Sequence, residues 1–324
     1  MEPHAPITLE EVQQAQLRIK DATIRTPLVR LNVDDPDREI YLKLENLQPI
    51  GSFKLRGALN AMRAADPDTL KDGVWTASAG NMAQGVAWGA RRLGIKCTVV
   101  VPDNAATAKL NAITELGASI IKIHPAEWFD LVLHRHQYPG LSGLFIHPAS
   151  DRRVMAGQGT IGVEIVEDLP DVDAVVTPFG AGGLTAGVAS AVQALKPETR
   201  RYACELETGA PLAPSLEAGE PVTIETRPAP GFATGFSGAP TVAAEMWPIL
   251  SRVVDGSLVM SVADLVAAIR LLVERNHVVA EGAGAAAVAS ALAGGAGHGR
   301  IACVVSGGHI DPNQLIEILG GEVM

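Results

Sequence analysis

The sequence predicts an α/β protein built on mostly parallel β-sheet with helices covering it. Segments typical of strands and of amphipathic helices alternate along most of the 324 residues, and short loops separate them. At roughly 150 residues per domain, this length predicts two domains. Apolar residues make up 47% of the chain and aromatic residues only 4%, a composition typical of a packed globular protein.

The first half of the chain begins with a helix and continues as alternating strands and helices. Thr8 and Glu11 form the pattern of a capping box ahead of a helix that ends near Ile19. Gly94 and Gly117 each follow a helical pattern and predict its end. The predicted strands are 40–44, 74–77, 97–101, 120–123 and 143–147, and the predicted helices are 52–65, 83–93 and 105–116, with a helical stretch before residue 143.

The second half repeats the alternation around one irregular region. Residues 211–240 are rich in Pro, Gly and Thr, and we expect a loop there with short helical pieces. The predicted strands are 174–177, 201–204 and 301–305, and the predicted helices are 159–168, 184–195, 263–275, one opened by 281–284 and one starting at Pro312.

Charge and cysteine usage exclude several classes of partner. The formal net charge is −10 and no basic run occurs, which argues against nucleic acid or an anionic membrane as the partner. Cys97, Cys204 and Cys303 lie far apart within apolar runs, and this pattern predicts buried thiols in a reducing compartment. The sequence shows neither a signal-peptide pattern nor an apolar segment of membrane-spanning length, so we expect a cytoplasmic protein.

A lysine occupies an unfavourable position in the stretch 46–57. Pro49 and Gly51 interrupt the chain, Ser52 is a candidate helix cap, and Lys54 then falls in the first turn of the following helix. The helix dipole disfavours a cation there by about 0.3–1 kcal/mol. This position indicates a lysine used for chemistry, and a surface lysine that reaches solvent is the alternative for the stretch taken alone.

Three further strand ends carry unusual loops. Ser78, Gly80 and Asn81 follow a strand and open a helix, a setting suited to binding an oxygen anion, although Asn81 as a simple helix cap is the alternative. The glycine-rich segment 178–184 predicts a phosphate site and matches neither a P-loop nor a dinucleotide fingerprint. Ser306 ends a buried strand, and the carboxyl ends of parallel strands meet at one edge of a sheet. Together the four stretches predict a small phosphorylated aromatic cofactor joined to a lysine.

The chain resembles the fold-type II pyridoxal-phosphate enzymes, and among them the threonine/serine dehydratase (ammonia-lyase) family. The segments that carry the resemblance lie in family order over nearly the whole chain: 51–58, 78–85, 101–109, 156–162, 180–184, 281–285 and 306–308. The resemblance implies two open, mostly parallel sheets, a large cofactor-binding domain (1–48 and 149–324) and a small substrate-loop domain (49–148). It also implies pyridoxal 5'-phosphate as the cofactor and a homodimer.

The resemblance implies roles for individual residues. Lys54 matches the Schiff-base lysine that also moves the Cα proton. Asn81 matches the residue that bonds the ring hydroxyl of the cofactor, and Ser306 matches the hydroxyl that faces its ring nitrogen. The full set that matches cofactor ligands is Phe53, Lys54, Asn81, Gly180, Ala181, Gly182, Gly183, Leu184, Glu281 and Ser306. The set that matches substrate contacts is Ser78, Ala79, Gly80, Met82 and Gly235.

Several positions depart from the pattern of the family. Met82 stands where dehydratases usually carry histidine, Thr234 replaces an aspartate, and His309 stands where asparagine is common. Some relatives bind a divalent ion near residues matching Glu205 and Gly209, but Pro211 falls where a further acid is needed, and we predict no metal site. The chain also ends without the regulatory extension of biosynthetic threonine dehydratases.

The activity implied is elimination of water from a β-hydroxy-α-amino acid. The expected substrate is L-threonine, L-serine or a close analogue such as 3-hydroxyaspartate, and the products are a 2-oxo acid and ammonia. An amino-acid racemase and a β-replacement synthase on the same scaffold are the alternatives. In racemases of this family a serine just before the loop glycine supplies a second base, and here that position is Ala79. A nucleotide-binding regulatory protein that uses 180–184 is an alternative of another class, but it leaves Lys54 unexplained.

Overall fold

The computed structural model describes residues 5–134, 137–233 and 236–321, and within them ten strands and twelve α-helices alternate. The strands are β1 (Leu28–Arg30), β2 (Arg38–Lys43), β3 (Val74–Ala77), β4 (Cys97–Pro102), β5 (Ser119–Ile123), β6 (Leu144–Phe145), β7 (Ala174–Pro178), β8 (Arg200–Leu206), β9 (Gly256–Met260) and β10 (Gly299–Val304). The helices are α1 (Leu9–Ile19), α2 (Lys54–Arg63), α3 (Asn81–Leu93), α4 (Thr107–Glu115), α5 (Pro125–His134), α6 (Arg152–Asp168), α7 (Gly183–Leu195), α8 (Leu212–Ala218), α9 (Trp247–Val253), α10 (Val262–Asn276), α11 (Gly282–Leu292) and α12 (Pro312–Gly320). Short 3₁₀ turns occupy Glu45–Leu47, Pro67–Leu70 and Gly231–Ala233.

The strands form two sheets, which confirms the predicted fold class of two open, mostly parallel sheets. The larger sheet has the order β1-β2-β10-β7-β8-β9, in which only the β1–β2 pair is antiparallel. The smaller sheet has the order β5-β4-β3-β6 and is parallel throughout. It lies wholly inside 49–148, the stretch predicted as the small domain, although the domain boundaries themselves stay a prediction.

Both faces of the central strands of the larger sheet are buried, as is typical of parallel sheets. Along β7, Ala174 and Val176 pack into one apolar cluster, whereas Val175 between them packs into another. Helices therefore cover the centre of this sheet on both sides, which leaves the strand ends as the place for a ligand. None of the helices in the described part of the chain combines the length and the apolar composition needed to span a bilayer.

Helix α6 passes close to two other helices and starts earlier than the sequence predicts. Asp151 caps it, and it begins seven residues before the predicted start at residue 159. The glycines within it lower helix propensity, which explains the late predicted start. A Cβ at Gly157 would lie 2.6 Å from the carbonyl oxygen of Arg56, and one at Gly162 would lie 2.7 Å from that of Val188. The glycines therefore allow α2 and α7 to approach α6 at backbone distance.

A buried ionic cluster fixes the start of α2. The Arg56 guanidinium donates to both oxygens of Glu45 (2.8 Å each) and to both oxygens of Glu164 (2.7 and 2.9 Å). Lys43 adds a second cation 2.6 Å from Glu164, so the four charges balance. All four side chains lie in the interior, where paired charges are tolerated only with this degree of hydrogen bonding. Because Arg56 follows Lys54 by two residues, the cluster also holds the lysine-bearing turn in place.

Replacement of Arg56 by leucine is expected to lower the free energy of unfolding by about 3–5 kcal/mol, because it leaves a buried carboxylate without a compensating cation. Chemical denaturation of the cofactor-free protein measures the change. Lys71→Ala is the matched control, since its ion pair with Asp68 is largely exposed and such pairs contribute about 0–1 kcal/mol. Equal effects of the two substitutions would contradict a stabilising role for the buried cluster.

Candidate active site

The turn that carries Lys54 is tied to the end of β10. Ser52 pairs with Gly307 in an isolated antiparallel bridge, and the backbone N–H of Phe53 donates to the carbonyl of Ser306 over 3.0 Å. Two of the four sequence stretches therefore lie side by side. The predicted cap is wrong, however: Phe53 occupies the N-cap position of α2, and no side chain caps the helix.

The amine of Lys54 is the reactive group that this turn presents. Lys54 is the first residue of α2, which agrees with its predicted place in the first helical turn. Its Nζ donates to the carbonyl of Pro148 over 2.7 Å and lies 5.1 Å from the centre of the Phe53 ring. Burial lowers the pKa of the ammonium to about 8, and the carboxylate of Glu281 opposes this shift only in part. A larger fraction of Lys54 is therefore the neutral, nucleophilic amine at neutral pH than for an exposed lysine.

The N-terminus of α7 packs against the segment that contains Pro148, the acceptor of the Lys54 hydrogen bond. Gly182 caps α7 with φ +87°, a backbone conformation that favours glycine, and Gly183 starts the helix. A Cβ at Gly183 would lie 2.5 Å from the carbonyl oxygen of Ala149, the residue after the acceptor of the Lys54 hydrogen bond. The Pro148–Ala149 dipeptide therefore contacts both the Lys54 amine and the start of α7. The free backbone N–H groups at that helix start are suited to binding an anion.

His147 orients this dipeptide, and sequence reasoning did not identify it. Its Nδ1 accepts from the backbone N–H of Ser150 (2.9 Å) and of Ala149 (3.2 Å), while its Nε2 lies 3.0 Å from the carbonyl oxygen of Val132. This pattern places the ring proton on Nε2. The sequence showed only that a histidine ends the predicted strand 143–147. Most partners of its ring are backbone groups, and such partners cannot be identified from residue types.

The loop after β3 faces open space. The backbone N–H of Gly80 donates to the hydroxyl of Ser78 over 3.2 Å, and a Cβ built at Gly80 would meet no atom within 4 Å. Ala79 is partly buried against the core of the smaller sheet. The loop thus offers backbone and hydroxyl groups beside an open volume, and its central side chain carries no ionisable group.

Asn81, at the start of α3, forms hydrogen bonds to the N-cap of α11 and to the loop after β10. Its Nδ2 donates to Oε1 of Glu281 over 2.7 Å, and its Oδ1 lies 2.7 Å from Nδ1 of His309. Gly80, not Asn81, is the N-cap of α3, so the interpretation of Asn81 as a simple helix cap is wrong. Burial raises the pKa of Glu281 to about 7, although the hydrogen bond from Asn81 and the charges of Lys109 and Lys54 oppose this shift.

Of the substrate contacts implied by the resemblance, Met82 is buried in the core and Gly235 is not described. Met82 is only 2% exposed and packs into the core of the smaller sheet. Any influence of Met82 on substrate choice would therefore act through the packing beneath the 78–80 loop. Gly235, together with the neighbouring departure at Thr234, lies outside the described residues.

The residues present fit a small phosphorylated aromatic group. The hydroxyl of Ser306 is buried at the end of β10, and it has no hydrogen-bond partner among the described residues. A buried hydroxyl without a partner is costly, and a ligand atom that accepts or donates there would remove the cost. The open volume at Gly80, the low-pKa amine of Lys54 and the helix start at Gly183 supply the other contacts that such a group needs.

Glu205 serves as a structural anchor. Its carboxylate accepts from the backbone N–H groups of Leu212 and Ala213 (2.9 and 3.0 Å) and from the hydroxyl of Ser257 (2.7 Å). These donors hold the first turn of α8 against the larger sheet. Across residues 5–134, 137–233 and 236–321, no group of three His, Cys, Asp or Glu side chains is placed to hold a metal ion.

Comparison with known proteins identifies a family. The profile of the family described as pyridoxal-phosphate dependent enzymes matches residues 19–307. The chain is 39% identical to the L-threonine ammonia-lyase of Thermotoga maritima over 97% of this chain and 78% of that protein.

Solved structures include both deaminases and racemases. The processed form of threonine deaminase isoform 2 from Solanum lycopersicum superposes with a TM-score of 0.84 at 29% identity, covering 99% of this chain and 96% of that one. Maize serine racemase superposes with a TM-score of 0.87 at 30% identity, covering 98% of both chains. The overall fold therefore does not distinguish elimination from racemisation, and side chains of the site must do so.

Proposed function

The chain belongs to the family of pyridoxal-phosphate dependent enzymes, and we propose that it is an ammonia-lyase that removes water from L-threonine or L-serine, releasing a 2-oxo acid and ammonia. The observation that carries this proposal is the amine of Lys54. Burial lowers the pKa of this amine to about 8, and its hydrogen bond to Pro148 places it next to Ala149, which packs against the start of α7 at Gly183. The similarity to a threonine ammonia-lyase and a threonine deaminase supports the choice of reaction.

The cofactor would be held by the groups that the site brings together. The free N–H groups at the start of α7, from Gly180 to Leu184, would bind its phosphate. Asn81 would bond its ring hydroxyl, the unpartnered hydroxyl of Ser306 would face its ring nitrogen, and the amine of Lys54 would join it covalently when no substrate is present. When bound, pyridoxal phosphate withdraws electrons from the Cα of the substrate and acidifies the Cα–H bond.

The chain's own residues would then carry the proton and orient the substrate. Lys54, displaced by the substrate amine, takes the Cα proton as a neutral base. The hydroxyl of Ser78 and the free backbone N–H groups at the start of α3 would hold the substrate carboxylate beside the open volume at Gly80. The β-hydroxyl would leave as water by taking up one proton, which offsets the proton that Lys54 removes from Cα. The enamine that remains would take up one water on hydrolysis and give the 2-oxo acid and ammonia, so the net reaction converts the amino acid to these two products.

A substrate panel tests the proposed activity. The purified protein is incubated with L-threonine, L-serine and 3-hydroxyaspartate, and 2-oxo acid and ammonia are measured together. Equal amounts of both products from at least one substrate are expected. A β-replacement synthase would release 2-oxo acid poorly and consume an added thiol nucleophile, and a nucleotide-binding regulatory protein would lack the visible absorption band of the bound cofactor.

Ala181→Asp is expected to weaken cofactor binding by about 10-fold or more, because it places a carboxylate beside the N–H groups that bind phosphate dianion. Ala181 is exposed at the start of α7, so its side chain can grow without displacing protein atoms. Substitution at Gly183 is less informative, because any Cβ there meets Ala149. Equilibrium titration of cofactor into the apoprotein measures the change.

Ala181→Asn is the control of equal size and no charge. It is expected to bind the cofactor within about 3-fold of the parent protein. Equal losses in the two variants would indicate a steric effect and would place the phosphate site elsewhere.

The assembly and location of the protein remain predictions. The homodimer follows from the resemblance to the family. We propose a cytoplasmic location, and the three buried free thiols in the structure agree with the reducing compartment that the cysteine pattern predicts.

A further inference from the structure

Three side chains form a hydrogen-bonded row across the mouth of the site. Asn81 stands in the middle, with Glu281 2.7 Å from its Nδ2 and His309 2.7 Å from its Oδ1. Asn81 is the first residue of α3, which packs on the smaller sheet, whereas Glu281 caps α11 and His309 lies in the loop after β10, both beside the larger sheet. The row therefore closes the site from one sheet to the other.

Two glycines accommodate this row. At Gly307 a side chain would overlap the carboxylate of Glu281 and would approach Nδ2 of Asn81 to 3.2 Å. At Gly51, whose φ is +67°, a Cβ would lie 3.1 Å from Cε1 of His309. The carboxylate of Glu281 and the imidazole of His309 therefore pack directly against glycine backbone. Gly51 lies three residues before Lys54 on the same segment.

When Glu281 is ionised, the chemistry of the row sets the direction of each hydrogen bond. An ionised Glu281 only accepts, so the amide nitrogen of Asn81 must face it and the amide oxygen must face His309. Nδ1 of His309 then carries the proton and donates to that oxygen. One hydrogen on Nδ2 of Asn81 is used by Glu281, which leaves the second for a ligand in the site.

We infer that His309 is a positioning residue, whose Nδ1–H holds the Asn81 amide so that its remaining Nδ2 hydrogen is presented to the ring oxygen of the cofactor. This inference rests on the proposed function, because it takes Asn81 as a cofactor ligand. It assigns a role to His309, which stands where asparagine is common in the family.

Glu281 alone does not secure this orientation. Burial raises its pKa to about 7, so a fraction of its carboxyl groups is protonated near neutral pH and can donate to an amide oxygen. A flipped Asn81 would then become acceptable on the Glu281 side. The proton on Nδ1 of His309 opposes the flip, since it would face the two hydrogens of the amide nitrogen.

The test compares His309→Leu with His309→Asn in the holoenzyme. Leucine fills similar space without a donor, whereas asparagine restores an N–H donor. We expect His309→Leu to weaken cofactor affinity by about 5–10-fold, the effect of one net hydrogen bond, to shift the visible absorption band, and to lower kcat with KM for threonine within about 2-fold. His309→Asn should restore affinity and the band position.

His298→Leu is the matched control, since His298 is exposed beside the opposite end of β10 and should leave all these quantities unchanged. An unchanged band and affinity in His309→Leu would overturn the inference. Equal damage in the leucine and asparagine variants would also overturn it, because the donor would then be irrelevant.

A measurement on the apoprotein separates this inference from the proposed function. In ¹⁵N NMR spectra of histidine-labelled protein, with His309 assigned by its loss in His309→Asn, the neutral ring is expected to carry its proton on Nδ1. Protonation on Nε2 would refute the inference even if the enzyme deaminates threonine. A parent protein that binds no pyridoxal phosphate would instead refute the proposed function.

Discussion

Replacement of Lys54 by alanine is expected to lower kcat by about 10³-fold or more, because it removes both the covalent attachment of the cofactor and the base that takes the Cα proton. Loss of a general base alone costs about 10²–10⁴-fold. Borohydride reduction followed by mass spectrometry of peptides measures the attachment, and release of 2-oxo acid measures the activity. Cofactor fixed at another lysine in the variant would contradict the assignment.

Lys54→Arg is the matched control for charge. A guanidinium retains a cation and a donor toward the carbonyl of Pro148, but it neither deprotonates near neutral pH nor attacks a carbonyl carbon. Lys54→Arg is therefore expected to be as inactive as Lys54→Ala. Appreciable activity in the arginine variant would show that the cation, and not the amine, is what the reaction needs.

The alanine variant should also fold at least as stably as the parent apoprotein. Burial lowers the folded-state pKa of Lys54 to about 8 from its ordinary value of 10.5, so the ammonium costs stability at pH values below about 8. Between these two values the unfolded chain binds more protons than the folded one, and the parent gains stability as the pH rises. The stability difference between parent and variant should therefore narrow from pH 7 to pH 10, as urea denaturation at several pH values would show.

Local patterns were sufficient to predict most of the fold. The capping box at Thr8, the helix-ending Gly94 and the apolar strand Val74–Ala77 all lie where the sequence predicts them. Strands β1 and β9 and helix α9 were not predicted. Most of β9 is only half-buried and Val259 is exposed at the edge of the sheet, so its residues lack a clear strand pattern.

Parts of the site could be predicted from single residues whose type is unusual for their local structure. A lysine in a first helical turn and glycines before a helix both indicate chemistry from local sequence alone. The contacts that join these pieces are not local: the hydrogen bond from Lys54 to Pro148 spans 94 residues, and that between Asn81 and His309 spans 228. No pattern of neighbouring residues reveals such pairings, and their assigned roles remain predictions.

Ala79→Ser is expected to raise the rate of D-isomer formation from L-serine by about 10²-fold, the lower end of what an added acid–base group contributes. Racemisation needs a proton donor on the face of the planar carbanion opposite Lys54. Ala79 lies in the loop between Ser78 and Gly80, partly packed against the core of the smaller sheet, and its methyl group has no proton to give. Elimination needs only Lys54 and an acid for the departing hydroxyl, so the parent protein should form 2-oxo acid with little D-serine.

The comparison that decides between lyase and racemase is the ratio of the two products, measured in the same incubation by chiral chromatography and by a 2-oxo acid assay. Ala79→Gly is the control, because it alters the same loop position without adding a hydroxyl, and its product ratio should match that of the parent. Cofactor absorbance should be alike in all three proteins, which separates a change of reaction from a loss of binding. Rapid D-serine formation by the parent would reverse the assignment, since a second base would then have to lie elsewhere in the site and the chain would be a racemase.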